Sequence, residues 1–163
     1  RWLSSLKVLK RFVELRLEIR KFLTAKGKET DVFDDKTWLS DLVFLTVITG
    51  HLNTVNQRLQ GKDHFIFDMC HELKAFQLKL QLFQSHLQPG NLIHFETCLL
   101  FQVEYQCDFS GYHVSCETLR KQFNNRFQDF KEKKDLFNFM RDSFSCTVEA
   151  IPAEYQLEVI SLQ

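Results

Sequence analysis

Ile66, Met69, Leu73, Phe76, Leu80, Phe83 and Leu87 follow one another in alternating steps of three and four. That cadence keeps all seven side chains on one face of an α-helix and scatters them across both faces of a strand, so residues 63–88 read as a long amphipathic helix with Asp63 as its N-cap. A helix carrying so complete a stripe cannot bury it alone and must pack on other helices. Three heptads in succession also suit a coiled coil, but Lys and Glu do not systematically flank this stripe, which favours the interior of a bundle.

The flanking segments carry the same periodicity. Val8, Phe12, Leu15, Ile19 and Phe22 predict a first helix over 2–26. Trp38, Leu42, Leu45, Ile48, Leu52, Val55 and Leu59, widened by Leu39, Val43, Phe44 and Val47, predict a central second helix over 37–60, capped by Asp34 or Asp35 and ended by Gly61. Pro89-Gly90 stops the third, and Asn91 is placed to cap a fourth whose face is Leu92, Phe95, Leu99 and Val103. Beyond Ser110-Gly111, Cys116, Leu119, Phe123, Phe127 and Phe130 predict a fifth helix over 112–133. A short sixth over 136–141 and a last one opened by Pro152 complete the chain.

With only five Gly and two Pro, and no strand pattern or internal repeat, the expected fold is all-α: a single helical bundle of about five main helices plus short ones. At 163 residues one core and one domain over 1–163 are expected, read as a piece of a longer polypeptide because it starts at Arg1 without Met. Seventeen Phe against three Tyr and two Trp make that core dependent on benzyl packing, with Phe123 and Phe127 as the chosen carriers of stability.

Catalytic patterns are sought with little return. Glycines 27, 50, 61, 90 and 111 stand too far apart for a phosphate-cradling loop, and the six histidines form no H-E-x-x-H pair. His113 and Cys116 are three apart, with Cys107 nearby, but a tetrahedral metal site needs more convergent ligands, and core thiols are the plainer reading. Cys70, Cys98, Cys107, Cys116 and Cys146 are odd in number and widely spaced, which favours a reducing compartment, cytosol or nucleus. No catalytic residues, metal, cofactor or small-molecule substrate are expected, and no apolar run approaches a membrane span.

One electrostatic feature rises above background. Residues 1–28 hold nine Lys or Arg against two Glu, a net +7, and because the whole chain balances 21 against 21 the other 135 residues carry −7. Lys7, Lys10, Arg11 and Lys21, with Arg16 and Arg20 on a flank shared with Trp2, form a basic face on the first helix. Such a face is either ordinary solvated surface or a phosphate-contacting one.

The opening Arg1-Trp2-Leu3-Ser4, with Val8-Leu9 and Phe12-Val13-Glu14-Leu15-Arg16, resembles a segment of vertebrate proteins domesticated from hAT-type DNA transposases. Trp38-Leu39-Ser40-Asp41-Leu42, His51-Leu52-Asn53, Leu59-Gln60-Gly61-Lys62, Gly90-Asn91-Leu92, Arg126-Phe127-Gln128-Asp129-Phe130-Lys131 and Pro152-Ala153-Glu154 extend the likeness along essentially the whole chain. The group includes zinc finger BED-type, FAM200-like and general transcription factor II-I repeat domain-containing proteins.

The resemblance implies the all-helical insertion of an RNase H-like transposase core, with Arg1 and Trp2 as the pair that lies beside the processed DNA strand and Trp2 able to stack on a base. It also implies that the three catalytic acids fall outside residues 1–163. The expected role is a non-enzymatic helical module of a nuclear protein, contacting DNA through Arg1, Trp2, Lys7, Lys10, Arg11, Arg16 and Arg20. The alternative is a pure protein-interaction or dimerisation bundle.

Overall fold

The computed structural model describes residues 2–60, 65–142 and 147–162, with side chains placed for all of these except 2–4, 131, 134, 135, 150 and 162. The fold is all-α, with no strand among the described residues. Helices α1 (Trp2–Ala25), α2 (Lys36–Leu59), α3 (Ile66–Leu87), α4 (Glu96–Tyr105) and α5 (His113–Arg126) form the body, followed by short α6 (Gln128–Glu132), α7 (Lys134–Arg141) and α8 (Gln156–Leu162).

Both central helices owe their ends to local chemistry. Asp35 accepts the backbone N–H groups of Thr37 (2.8 Å) and Trp38 (3.3 Å), capping α2 as expected, while Asp34 turns instead to Arg20. At the start of α3, Asp68 accepts the Phe65 N–H at 3.2 Å; the expected cap Asp63, and Gly61, lie outside the described residues. Gly27 and Gly90 take left-handed φ of 65° and 79°, which lets the chain reverse after α1 and α3. Lys28 N–H then returns to Leu23 O and Asn91 N–H to His86 O, satisfying carbonyls at the two helix ends.

α2 packs on α1, α3 and α4, and α3 packs on α5 and α7. The third-helix stripe is observed as read: Leu73, Phe76, Leu80, Phe83 and Leu87 are buried, with Ile66 and Met69 half-buried. Rings join the layers: Phe44 stacks on Tyr112 at 4.3 Å, Phe83 meets Phe95 edge-on at 4.9 Å, and Phe76 meets Phe123 at 5.0 Å. An ion pair from Arg58 to Glu72 (3.0 Å) and a hydrogen bond from the Tyr112 hydroxyl to Asp41 (2.5 Å) tie the surface over them.

Three expectations change. α4 begins at Glu96, because Asn91 accepts the Ile93 N–H (3.0 Å) in a turn of its own, and the buried face is Cys98 and Phe101 while Leu99 and Val103 face solvent. The apolar stripe of α1 is rotated: Leu6 and Val13 are buried, whereas Val8 and Phe22 are 66% and 60% exposed. The long fifth helix is broken at Phe127 (φ −113°, ψ 26°), giving α5 and α6 in place of one rod, while the short helix expected over 136–141 is found as α7. Neither Gly nor Pro causes the break; it gathers Phe127, Phe130 and Phe137 beside α3, with successive ring centroids 5.9 and 6.2 Å apart. Pro152 precedes a 3-10 turn (Ala153–Tyr155) before α8, whose Val159 is buried as Ile151 is.

Candidate nucleic-acid interface

Lys7, Lys10 and Arg11 stand at positions i, i+3 and i+4 of α1, a spacing that aligns them on one face, and all three are exposed. Arg11 has a 3.4 Å ion pair with Glu14 one turn on, both side chains more than half exposed, so the pairing is weak and leaves the guanidinium accessible. Lys21 is exposed farther along, past Glu18. The basic surface is therefore concentrated in the N-terminal half of the helix.

Arg16 and Arg20 are placed differently. Arg16 turns inward, its side chain only 11% exposed, with the guanidinium over the rings of Phe101 (4.4 Å) and Tyr105 (5.0 Å) of α4. It donates to the Val13 carbonyl (3.0 Å) and to the Tyr105 hydroxyl (2.5 Å), which itself donates to Glu104 (2.7 Å). Burial and the bond to Glu104 raise the Tyr105 hydroxyl above its ordinary acidity range, with Arg16 pulling the other way. Arg20 pairs with Asp34 in the 3-10 turn Asp31–Asp34. Both arginines border a small recess of about 100 Å³ that Phe33, Leu39 and Tyr105 also line. Phe12 and Phe33, with Trp38 edge-on to both, fasten the same stretch of α1 to α2. Arg1, and the side chain of Trp2, lie outside the described residues.

His113 and the thiols of Cys98 and Cys116 are absorbed by the fold. His113 Nδ1 lies 2.6 Å from the Ser110 carbonyl, and no three His, Cys, Asp or Glu side chains converge on a possible metal position among the described residues. Burial, aided by the neighbouring Cys107, lifts the Cys98 thiol to about 12, and burial lifts Cys116 to about 11, so neither is a nucleophile at neutral pH. Among the described residues no helix is long and apolar enough to cross a membrane.

The described residues thus form an all-α helical module with a basic face on α1 and buried thiols at Cys98, Cys107 and Cys116. A profile of the FAM200/GTF2IRD2 helical domain matches residues 1–88. The chain is 35% identical over its whole length to general transcription factor II-I repeat domain-containing protein 2 of Mus musculus and 36% identical to that of Bos taurus, spanning 17% of each. This chain belongs to the FAM200/GTF2IRD2 helical-domain family, within the domesticated, transposase-derived group. No solved structure matches it.

Proposed function

We propose that residues 1–163 form a single non-catalytic helical domain of a nuclear, transposase-derived protein, and that the front half of α1 contacts DNA phosphates. The observation that carries this reading is the exposed trio Lys7, Lys10 and Arg11 at the head of a segment with net charge +7. Arg1 and Trp2 extend the same end of the helix in sequence, and the resemblance to hAT transposases supports base stacking by Trp2. Arg16 and Arg20 support the surface from behind by fixing α1 to the body.

Lys7→Glu, Lys10→Glu and Arg11→Glu together should weaken binding to a fluorescent duplex and reduce the slope of log affinity against log salt by about 2–3. Affinity and slope equal to those of the unmodified chain would remove DNA from the proposal.

A second reading, protein assembly without DNA, is favoured by one observation: Leu99, Leu100 and Val103 of α4 are 45%, 60% and 77% exposed. Sedimentation velocity with and without duplex DNA separates the two. Self-association abolished by Leu100→Glu and Val103→Glu, with no DNA-bound species, would establish the second.

A further inference from the structure

A cleft lined by residues of neither α1 nor α2 lies between α3 and α7. It encloses about 420 Å³. Phe67 and Leu73 form one wall, Phe137 the other, and Phe127 and Phe130 the floor supplied by the break between α5 and α6. These rings continue a ladder that starts in the core, from Phe76 through Phe123 (5.0 Å) to Phe127 (4.6 Å), so the floor is fixed by buried packing. Phe65, 64% exposed, stacks on Phe67 at 5.3 Å and prolongs the apolar wall into solvent.

The rim has one sign. Lys74 stands on α3 and Arg141 on α7; among the described side chains no lining group is acidic, and neither Lys74 nor Arg141 has an ion-pair partner. The wall contributed by α3 runs from Phe67 to Gln77, eleven residues whose ends lie about 15 Å apart at the helical rise, which matches two to three turns of an opposing helix. An apolar trough of that length under an unneutralised cationic rim selects an amphipathic helix with acidic flanks, its apolar side chains between the Phe walls and its carboxylates on Lys74 and Arg141.

From this juxtaposition we infer that the α3–α7 cleft is a docking site for an acidic, amphipathic helical segment of a partner protein. The occupant is distinct from anything that binds α1, and the two sites are separable by mutation.

The probe is a fluorescein-labelled 14-residue peptide with Leu and Phe at positions i, i+3, i+4, i+7 and i+8 and Asp or Glu elsewhere. Its counterpart carries Lys and Arg at the acidic positions. Anisotropy titration of the 163-residue chain should show the acidic peptide binding at least about tenfold tighter than the basic one. Lys74→Glu with Arg141→Glu, both exposed and so compatible with folding, should invert that preference, and Cys70→Trp, which fills the trough from α3, should abolish binding of either. Circular dichroism melts confirm that each variant is folded. Equal binding of the two peptides, or an unchanged preference in the charge-reversed variant, overturns the inference. So does binding of sodium dodecanoate in the trough with no peptide binding, which would make it a site for a small amphiphile. A dimer in sedimentation that the charge reversal dissociates would assign the trough to a second copy and overturn it equally.

Discussion

Arg16 separates a structural cation from a recognition cation on the same helix. Arg16→Ala removes a charge-assisted hydrogen bond to Tyr105, about 1.5–3 kcal/mol. It also removes the guanidinium over Phe101 and Tyr105, about 2 kcal/mol for a largely buried pair. Against these stand up to about 2 kcal/mol of released side-chain entropy and relief of the buried Arg16 Nε, which has no hydrogen-bond partner. Tyr105 keeps Glu104 as its acceptor, so no buried donor is orphaned. The contact to Glu104, 4.0 Å from a carboxylate 60% exposed, adds little. The net expectation is a loss of about 2 kcal/mol, or a fall of about 4–8 °C in melting midpoint for a domain of this size. Arg16→Lys keeps the charge but loses the planar fork, and should cost about half as much. Urea denaturation followed by circular dichroism measures the first quantity, and anisotropy with duplex DNA, at a temperature where the variant is folded, measures whether affinity is retained. Wild-type stability combined with a loss of DNA affinity as large as that of Lys10→Glu would refute the placement of Arg16 as an anchor.

Three further outcomes follow from burial. Phe76→Ala, at 1% exposure, should cost about 3–5 kcal/mol, whereas Phe127→Ala, half-buried against an open cleft, should cost less than about 2 kcal/mol; equal melts for the two would refute the assignment of α3 as the core helix. His51, packed on Phe83, has its pKa lowered by burial first and then by Lys79 and His94, so the unfolded chain takes up protons before the folded one. Stability should therefore fall as the pH drops through and below 6.5, and His51→Phe should flatten that slope in denaturant titrations at successive pH values. Mass-spectrometric mapping of iodoacetamide labelling at pH 8 should find Cys98 and Cys116 protected in the native chain and labelled in guanidinium; native labelling at either would show that the surrounding helices open readily.

The sequence carried the helices better than their orientations. The α3 stripe was legible because its three-four spacing runs unbroken through seven positions, although Phe67, Leu78 and Leu82 off the stripe are apolar too. In α4 the six apolar residues of ten are spread over two faces, so periodicity could not choose between the face of Leu99 and Val103 and the face of Cys98 and Phe101; contact with α2 decided it. In α1 the inward face includes Arg16, and a search for apolar stripes passes over a cation that stacks on rings. The Phe127 break has no Gly or Pro to announce it and arises from ring packing across the α5–α6 junction. At the candidate interface, the charge count found the helix and Lys7, Lys10 and Arg11, whose exposure the structure shows. Separating them from Arg16 and Arg20 needed the positions of Tyr105 and Asp34, which are distant in sequence. The cleft between α3 and α7 had no sequence signal beyond a surplus of Phe, because it exists only once the broken helix folds back.

The attachments of α1 are unevenly distributed along its length. Its rear half is held by the Tyr105 and Asp34 contacts and its middle by Val13 and the Phe12–Phe33–Trp38 cluster, while ahead of Phe12 only Leu6 is buried among the placed side chains. Such a helix behaves as a bracket whose heaviest bolts lie along its middle and rear. Strain applied at its tip by a bound polyanion is borne at the bolts, and amide exchange should begin at the tip while the bolted turns stay closed. Residues at that tip can accordingly be exchanged over evolutionary time with small consequences for the rest of the molecule, which is the freedom a domesticated domain needs to acquire or discard a ligand.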